Sequence, residues 1–398
     1  MDGDLSRAEA QRRGEGIGRK ERIDRKGWKR VRLGDLVARQ TISMGRGNVI
    51  SKEAIESDPG AYPVFSSSAT GDGIIGYYAR YMFEDERISW SIDGGGRFFY
   101  HPASRYSVTN VSGWIKVHKP AEINTRYLYR ALEAEWKKKH FDYQTKAHPS
   151  VIKNEYIIAY PDIDTQNKIA TIIASCDDYI TAIQSLITKY EAIKKATVNL
   201  LLKPKDNWSI VALGEICDVC STRRVHESDW TSAGVPFYRA RELVALNEGR
   251  EISPLHISEK LYAECVASSG AIQAGDLLVT GVGSIGVPYL VKRGDRFYFK
   301  DGNVIWFKNR GKLHPKYFLH VFKSAYIQDQ IEEMSCVGTV GSYTITNGKQ
   351  TLIPLPPERE QEQIVTILDS IDNTLKDLKT QLKKSQSIKQ GMMTYFFG

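Results

Sequence analysis

Residues 161–203 read PDIDTQNKIATIIASCDDYITAIQSLITKYEAIKKATVNLLLK, and residues 356–398 read PPEREQEQIVTILDSIDNTLKDLKTQLKKSQSIKQGMMTYFFG. The two stretches align without a gap, so that Gln166 matches Gln361 and Asp177 matches Asp372. An internal repeat of this kind indicates that one structural unit occurs twice along the chain. Because the repeat indicates two copies of one unit, it determines the predicted architecture of the chain.

Apolar residues in both stretches recur at alternating steps of three and four, which is the heptad pattern of a helix with one apolar seam. A long exposed helix with an apolar stripe needs a partner. We therefore predict that the two helices pair as an antiparallel coiled coil with pseudo-twofold symmetry, as two copies of one unit do. The alternative is two separate helix-capped domains. The predicted seam residues are Ile169, Ile173, Ile180, Ile183, Ile187, Ile364, Leu368, Ile371, Leu375, Leu378 and Leu382.

A second pair of matching motifs opens the segment before each helix, where GWKRVRLGDLV (27–37) corresponds to NWSIVALGEIC (207–217). Short β-branched and aromatic runs broken by glycine then predict strands and turns, with few helical patterns. The predicted fold class is α+β, with two mixed globular domains, each followed by a long α-helix. The predicted segments are a basic, disordered lead-in (1–26), domain 1 (27–160), helix 1 (161–203), domain 2 (204–355) and helix 2 (356–398).

The chain of 398 residues has a net charge of +8 at pH 7, which favours polyanionic partners. It contains no long apolar run and no secretory signal, so a cytoplasmic location is expected. Five cysteines form no disulfide framework. The lone CxxC pair, Cys217 and Cys220, is predicted to be free thiols in a strand, and no metal site is predicted.

The stretch GVGSIG (281–286) has the spacing of a dinucleotide phosphate cradle. Such a cradle requires a helix that opens at its third glycine. Here Pro288 and a β-branched, aromatic run follow, which predicts strand–turn–strand. The sequence lacks the Walker, HExxH and GxSxG motifs, so no catalytic residue is predicted. A nucleotide-dependent enzyme using this loop and a coiled-coil adaptor without DNA specificity are the alternative functions.

Two motifs carry a family resemblance over residues 27–398. The opening motif is Trp-x-x-x-x-Leu-Gly-Asp/Glu (28–35 and 208–215), and the closing motif is Pro-Pro-x-x-x-Gln-x-x-Ile (356–364), with Pro161-Asp162 in the first copy. The segments YPVFSSSATGDGIIGY (62–77) and AGDLLVTGVGSIG (274–286) add to it. With these motifs the chain resembles the DNA specificity (S) subunits of type I restriction–modification systems.

The resemblance implies a non-catalytic protein that recognises a bipartite, asymmetric target in double-stranded DNA. Each globular domain would be a target-recognition domain for one half-site, and the helix pair would set the spacer between half-sites. The chain would serve as a scaffold for two modification (methyltransferase) subunits and for restriction/translocase subunits. It would bind no cofactor itself, since S-adenosylmethionine, ATP and Mg would belong to the partner subunits.

Candidate DNA contacts are polar and basic side chains on loops, because base edges are read by hydrogen bonds and phosphates attract cations. Each candidate could instead be an ordinary polar loop residue, and Tyr343 could either stack on a base or pack. The predicted DNA-binding residues are Ser67, Ser68, Thr70, Arg97, Lys146 and His148 in domain 1, and Arg239, Arg241, Ser284, Ser342, Tyr343 and Thr344 in domain 2.

Overall fold

The computed structural model describes residues 27–67, 71–139, 141, 146–335 and 341–398. The predicted lead-in, residues 1–26, lies outside the described residues. Internal contacts divide the chain into two units, one reaching to Ala182 and including Leu382–Gly398, the other spanning Ile183–Gln381. Each of the two long helices therefore contributes residues to both units.

The described part of the first unit is built on mainly antiparallel sheet, with one parallel pair, β3 with β7. One sheet has the order β2-β8-β5-β6, another the order β4-β3-β7, and β1 pairs with β9. The strands are β1 (Lys29–Arg32), β2 (Ile42–Arg46), β3 (Pro59–Phe65), β4 (Ile74–Tyr78), β5 (Arg87–Ser91), β6 (Phe98–His101), β7 (Ser107–Val108), β8 (Ser112–Val117) and β9 (Ile157–Tyr160). The helices are α1 (Leu33–Ala38), α2 (Lys52–Ser57), α3 (Thr125–Trp136), α4 (Pro149–Glu155) and the first half of α5 (Ile163–Leu201).

The second unit has a sheet of order β11-β18-β15-β16, a sheet of order β12-β14-β13-β17, and a β10–β19 pair. Its strands are β10 (Ser209–Ala212), β11 (Cys217–Cys220), β12 (Trp230–Thr231), β13 (Val235–Tyr238), β14 (Leu255–Ile257), β15 (Leu277–Thr280), β16 (Pro288–Leu290), β17 (Tyr298–Phe299), β18 (Val304–Asn309) and β19 (Leu352–Leu355). Its helices are α6 (Leu213–Ile216), α7 (Ala240–Asn247), α8 (Glu259–Ser269), α9 (Pro315–Phe322), α10 (Ala325–Ser335), α11 (Ile345–Gln350) and the first half of α12 (Glu358–Phe397).

The repeat extends through the interior of both units, where the sequence shows little similarity. The sheet β2-β8-β5-β6 and the sheet β11-β18-β15-β16 have the same strand order and the same antiparallel neighbours. Strands β5 and β15 are buried along their whole length. Strand β5 buries the polar Arg87, Ser89 and Ser91 beside Ile88 and Trp90, whereas β15 is mostly aliphatic, so one sheet tolerates two very different sequences.

The repeated sequence motifs form the frame that joins each domain to its helix. The Leu33 amide donates to the Tyr156 carbonyl at 2.9 Å, and the Leu213 amide donates to the Thr351 carbonyl at 2.9 Å. These bonds place α1 and α6 beside the short strand pairs β1–β9 and β10–β19. The last strand of each pair leads directly into a long helix.

A buried glutamine fixes the start of each long helix. Gln166 accepts a hydrogen bond from the Asn124 amide at 3.0 Å and donates to the Pro161 carbonyl at 2.9 Å. Gln361 repeats this arrangement, accepting from the His314 amide at 2.8 Å and donating to the Pro356 carbonyl at 3.0 Å. The glutamine of the closing motif is therefore a structural tie between the globular domain and the helix.

The two long helices run antiparallel in each unit. In the first unit Asp177 pairs with Lys389 at 2.5 Å, and Cys176 lies against Ser385. In the second unit Glu191 pairs with Lys379 at 2.8 Å and Lys194 with Asp372 at 2.5 Å, again in opposite chain directions. The predicted fold class, with mixed domains and antiparallel helices, is confirmed.

The predicted seam residues are all buried or half-buried. Ile169 and Ile173 belong to the apolar core of the first unit, where Phe397 from the end of α12 joins them. Ile364 and Leu368 belong to the core of the second unit. The start of each seam thus packs on a globular domain as well as on the other helix.

Cys217 and Cys220 are free thiols in β11, as predicted. Within the described ranges, histidine, cysteine and carboxylate side chains form no cluster that could hold a metal ion. None of the helices in those ranges combines the length and apolar character that crossing a membrane demands.

Candidate nucleic-acid interface

The turn between β5 and β6, residues 92–97, organises the candidate site of the first domain. The Ser91 amide donates to the Arg97 carbonyl at 2.9 Å and closes the hairpin. The Arg97 guanidinium lies over the Phe99 ring, 5.0 Å from its centroid. Packing on this ring holds a half-buried cation at the base of the turn.

Two further segments meet the first residue of this turn. The Ile92 amide donates to the Val111 carbonyl at 3.0 Å, and the Ser67 hydroxyl donates to that same carbonyl. On the other side, the Ala147 amide donates to the Ile92 carbonyl at 3.1 Å. The structure therefore brings Ser67 and the segment 146–148 together beside the turn that carries Arg97.

Lys146 and His148 flank Ala147 in this arrangement. Lys146 Nζ lies 2.9 Å from Asp93 Oδ1, so the lysine is an ion-pair partner of the turn. His148 precedes α4, and its Nδ1 accepts from the Ser150 amide as a helix cap. Both side chains are exposed, and each uses one polar atom in an interaction with the protein itself.

The turn between β15 and β16, residues 281–287, is the equivalent in the second domain and contains GVGSIG. The Gly286 amide donates to the Thr280 carbonyl at 2.8 Å. Gly283, with φ of 70°, and Ser284 form its exposed tip. A strand follows the turn, so the predicted strand–turn–strand order is confirmed and the helix N-terminus required by a nucleotide cradle does not follow it.

The neighbours of this turn match those of the first domain. The Gly281 amide donates to the Asn303 carbonyl at 2.8 Å, and the Tyr343 amide donates to the Gly281 carbonyl at 2.8 Å. Gly281 is required here because a Cβ would lie 2.6 Å from the Tyr343 carbonyl oxygen. Residues 342–344 thus correspond to residues 146–148, since each segment pairs with the start of the turn and leads into a short helix.

A cleft of about 680 Å³ opens between this turn and the first turns of α7. It brings together three of the predicted DNA-binding residues, Arg239, Arg241 and Ser284. Arg250 and Asn303 also line it. The cleft is rich in arginine and opens to solvent at the tip of the hairpin turn.

Glu242 controls the electrostatics of the cleft. Its buried carboxylate accepts from Arg239 Nη2 at 2.8 Å and from Arg241 Nε at 2.6 Å. Burial raises the pKa of Glu242, but the hydrogen bonds from the two arginines outweigh it and hold the pKa below its usual range. The carboxylate is therefore charged at neutral pH and acts as a fixed anchor for both guanidinium groups.

A family model described as type I restriction modification DNA specificity domain matches the chain twice, over residues 25–195 and 205–389. The chain belongs to this family. Each match contains one globular domain and much of the long helix that follows it. The internal repeat is therefore a repeat of the specificity domain.

The names of similar proteins are consistent with the family assignment. A Mycoplasma pneumoniae protein named as a type I specificity subunit is 22% identical over 358 residues, covering 88% of this chain and 92% of the relative. The MpnII specificity subunit of the same organism is 28% identical over 149 residues, covering 36% of this chain and 44% of the relative. A crystal structure of a type I S subunit from M. genitalium shares the fold, with a TM-score of 0.62, 15% identity and coverage of 96% and 98%.

The structure bears on the two alternatives for Tyr343, stacking on a base or packing inside the domain. Its ring is only 2% exposed, and its hydroxyl shares a hydrogen bond of 2.6 Å with Thr351 Oγ1. Burial raises the pKa of the phenol, which stays protonated. Of the two alternatives for Tyr343, the structure therefore supports packing.

The other predicted DNA-binding residues that the structure describes differ in their exposure and in the contacts that their side chains make. Thr344 is exposed but caps α11 by accepting from the Asn347 amide at 3.2 Å. Ser342 is half-buried beside it. Ser68 and Thr70 lie outside the described residues. The DNA contacts of all these side chains stay predictions.

The sequence patterns missed exposed residues near the ends of β2 and β11, the matching edge strands of the two sheets. Arg46, the last residue of β2, and Asn48 are exposed, and the Asn48 amide donates to the Val108 carbonyl at 3.1 Å. In the second domain, the exposed Arg223 and Arg224 occupy the matching position after β11. Basic residues near the ends of the two strands were the available signal, but the match between these strands becomes visible only in the sheet order.

Proposed function

We propose that this chain is the DNA sequence-specificity subunit of a type I restriction–modification system and that each domain recognises one half of a bipartite target. The observation that carries the proposal is the equivalence of the two hairpin turns. In both domains the turn meets a second polar segment that precedes a short helix. Side chains from several loops then converge on one surface, which is what base readout in a groove requires.

The two half-sites are proposed to differ, so that the target is asymmetric. Equivalent positions carry different side chains, since Asp-Gly-Gly-Gly-Arg (93–97) in the first domain corresponds to Val-Gly-Ser-Ile-Gly (282–286) in the second. Likewise Lys-Ala-His (146–148) corresponds to Ser-Tyr-Thr (342–344). Because hydrogen-bond donors and acceptors select base edges, different side chains at matching positions select different bases.

The paired helices are proposed to set the unread spacer between the half-sites. A helix advances 1.5 Å per residue, so an antiparallel pair of this length resists compression and defines a distance. The methyltransferase subunits and the restriction/translocase subunits are proposed to assemble on this chain. Catalysis, and with it S-adenosylmethionine, ATP and Mg, is proposed to reside in those partners.

A retention experiment tests the proposal against the coiled-coil adaptor. The full chain, assembled with its methyltransferase subunits, is expected to retain a duplex containing the methylated motif far better than a scrambled duplex. Retention should fall steeply with salt, because phosphate contacts release counterions. Equal retention of the two duplexes would instead support the adaptor.

A dialysis experiment tests the proposal against the nucleotide-dependent enzyme. The full chain is dialysed against NAD(P) and against S-adenosylmethionine. We expect neither to bind, since a strand rather than a helix follows GVGSIG. Micromolar binding that is lost in Gly283→Ala would support the enzyme.

A further inference from the structure

The cleft of the second domain contains three arginines that are held in different ways. Arg239 is largely buried, and it donates to Glu242 through Nη2 at 2.8 Å and through Nε at 3.2 Å. These bonds, together with the cap that Glu242 provides to the Arg239 amide, belong to the start of α7. Arg239 therefore acts within the protein, as the partner that keeps the buried Glu242 charged.

Arg241 forms a hydrogen bond with the protein through only one edge of its guanidinium group. Its Nε donates to Glu242 Oε1 at 2.6 Å, while 69% of the side chain is exposed. Among the described residues, the two terminal nitrogens of Arg241 have no hydrogen-bond partner. A planar fork is thus fixed at its base by a buried carboxylate and left open at its tip, in a cleft of about 680 Å³.

Arg250 lines the same cleft but lacks such an anchor. It pairs with Glu248 at 2.5 Å, and the side chains of both residues are more than half exposed. Exposed pairs of this kind contribute little and hold no fixed geometry. Arg250 therefore presents a positive charge without a fixed orientation. Arg241 instead presents two hydrogen-bond donors in a fixed orientation.

We infer that Arg241, oriented by Glu242, is a specificity-determining residue that reads a guanine in the half-site of the second domain. The inference rests on the proposed function. Two parallel donors match the O6 and N7 acceptors of guanine in the major groove, which no other base presents together. A phosphate contact needs no oriented fork, and a fixed carboxylate beside the arginine would weaken attraction to a phosphate.

Arg250 would contact a phosphate of the DNA backbone instead of a base. A mobile, exposed arginine neutralises backbone charge whatever the sequence, and so adds affinity without selecting a base. The two arginines of one cleft thus provide a matched pair for experiment. Substitution of each by alanine removes the same group, but only one substitution is expected to change base preference.

The test compares guanine with 7-deazaguanine, which keeps base pairing but lacks N7. The full chain, assembled with its methyltransferase subunits, is titrated with duplexes that carry the replacement at each guanine of the second half-site. The wild-type complex is expected to lose about 5- to 150-fold in affinity at one such guanine. Arg241→Ala should bind the two duplexes equally, and Arg250→Ala should weaken both duplexes by the same factor.

Arg241→Lys supplies a variant that keeps the charge and the fold but loses the fork. It is expected to retain affinity for scrambled DNA while losing the discrimination against 7-deazaguanine. The inference is overturned if the wild-type complex is insensitive at every guanine, or if Arg241→Ala or Arg241→Lys still discriminates. Preference for the specific duplex over the scrambled one would survive that result, so the proposed function is tested separately.

Discussion

At the residue scale, the two buried glutamines explain why the closing motif occurs twice. Each side-chain amide satisfies two backbone groups that no helix or strand pairs. One is the N–H of the residue that caps a domain helix, Asn124 or His314, and the other is the proline carbonyl just before the long helix. A glutamine side chain has the acceptor and the donors needed to do both. The repetition of Gln166 as Gln361 therefore reflects a repeated structural requirement.

Replacement of Gln361 by alanine is expected to destabilise the second unit by about 2 kcal/mol or more, since it leaves the His314 amide and the Pro356 carbonyl without partners. Chemical denaturation of the full chain measures the loss. Glu362→Ala, at an exposed neighbouring position, is the control and should cost less than about 0.5 kcal/mol. Equal losses in the two variants would contradict the role assigned to Gln361.

The sequence predicted which loops are polar but not what each side chain does there. Turn chemistry located the segments around Ser67 and Arg97 in the first domain and around Ser284 in the second, and the structure places each of them at or beside the hairpin turn of its own domain. Whether a residue caps a helix, packs or faces solvent depends on partners distant in the chain, as Tyr343 with Gly281 shows. Arg239 and Arg241 look alike in sequence, and only the position of Glu242 separates them.

At the scale of elements, the helices were predictable and the central sheets were not. A heptad seam is a local periodic signal, and the observed helices, 163–201 and 358–397, lie inside the predicted stretches. Strand order depends on pairings between distant residues, such as β2 with β8, that leave no periodic trace. The equivalence of the two sheets, and hence of the two turns, therefore required the structure.

The end of α12 completes the core of the first unit. Phe397 is 6% exposed, its ring lies 5.5 Å from that of Tyr127, and its carbonyl accepts from Lys138 Nζ at 3.0 Å. Phe397→Ala is expected to lower the free energy of unfolding by about 3 kcal/mol, because it opens a cavity in this core. Denaturant titration of the full chain provides the measurement. Tyr395→Ala, at a side chain that is 68% exposed, is the matched control, and a similar loss there would refute the assignment.

The proposed spacer role predicts the effect of lengthening both helices together. Seven residues inserted after Ala182 and seven after Gln381 keep both heptad seams in register. Each helix then grows by about 10 Å, which equals about three base pairs of B-DNA. Mapping of methylated adenines is expected to show both half-sites unchanged and a spacer longer by about three base pairs.

The control for this experiment is the insertion into α5 alone. It breaks the antiparallel pairing seen at Glu191 with Lys379 and at Lys194 with Asp372, so specific methylation should be lost. An unchanged spacer in the double insertion would rule out the ruler role. It would leave the assignment of half-sites to domains untouched.

At the scale of the whole molecule, one chain contains two versions of one recognition architecture. The hairpin turns, the segments that meet them and the helix ties are equivalent, while the side chains they present differ. Because the backbone elements are equivalent and the exposed side chains differ, the side chains of each turn can change without altering the fold that supports them. The family assignment and the net charge of +8 agree with a DNA-binding role for the chain.

The central claim, that each domain reads one half of the target, is tested most directly by sequencing methylated adenines in cells that express the complete complex. One variant combines Ser67→Ala with Arg97→Ala, and the other combines Arg241→Ala with Ser284→Ala. The account predicts that the first pair relaxes one half-site only and that the second pair relaxes only the other. If either pair altered both half-sites, or if neither pair altered any, the account would be contradicted.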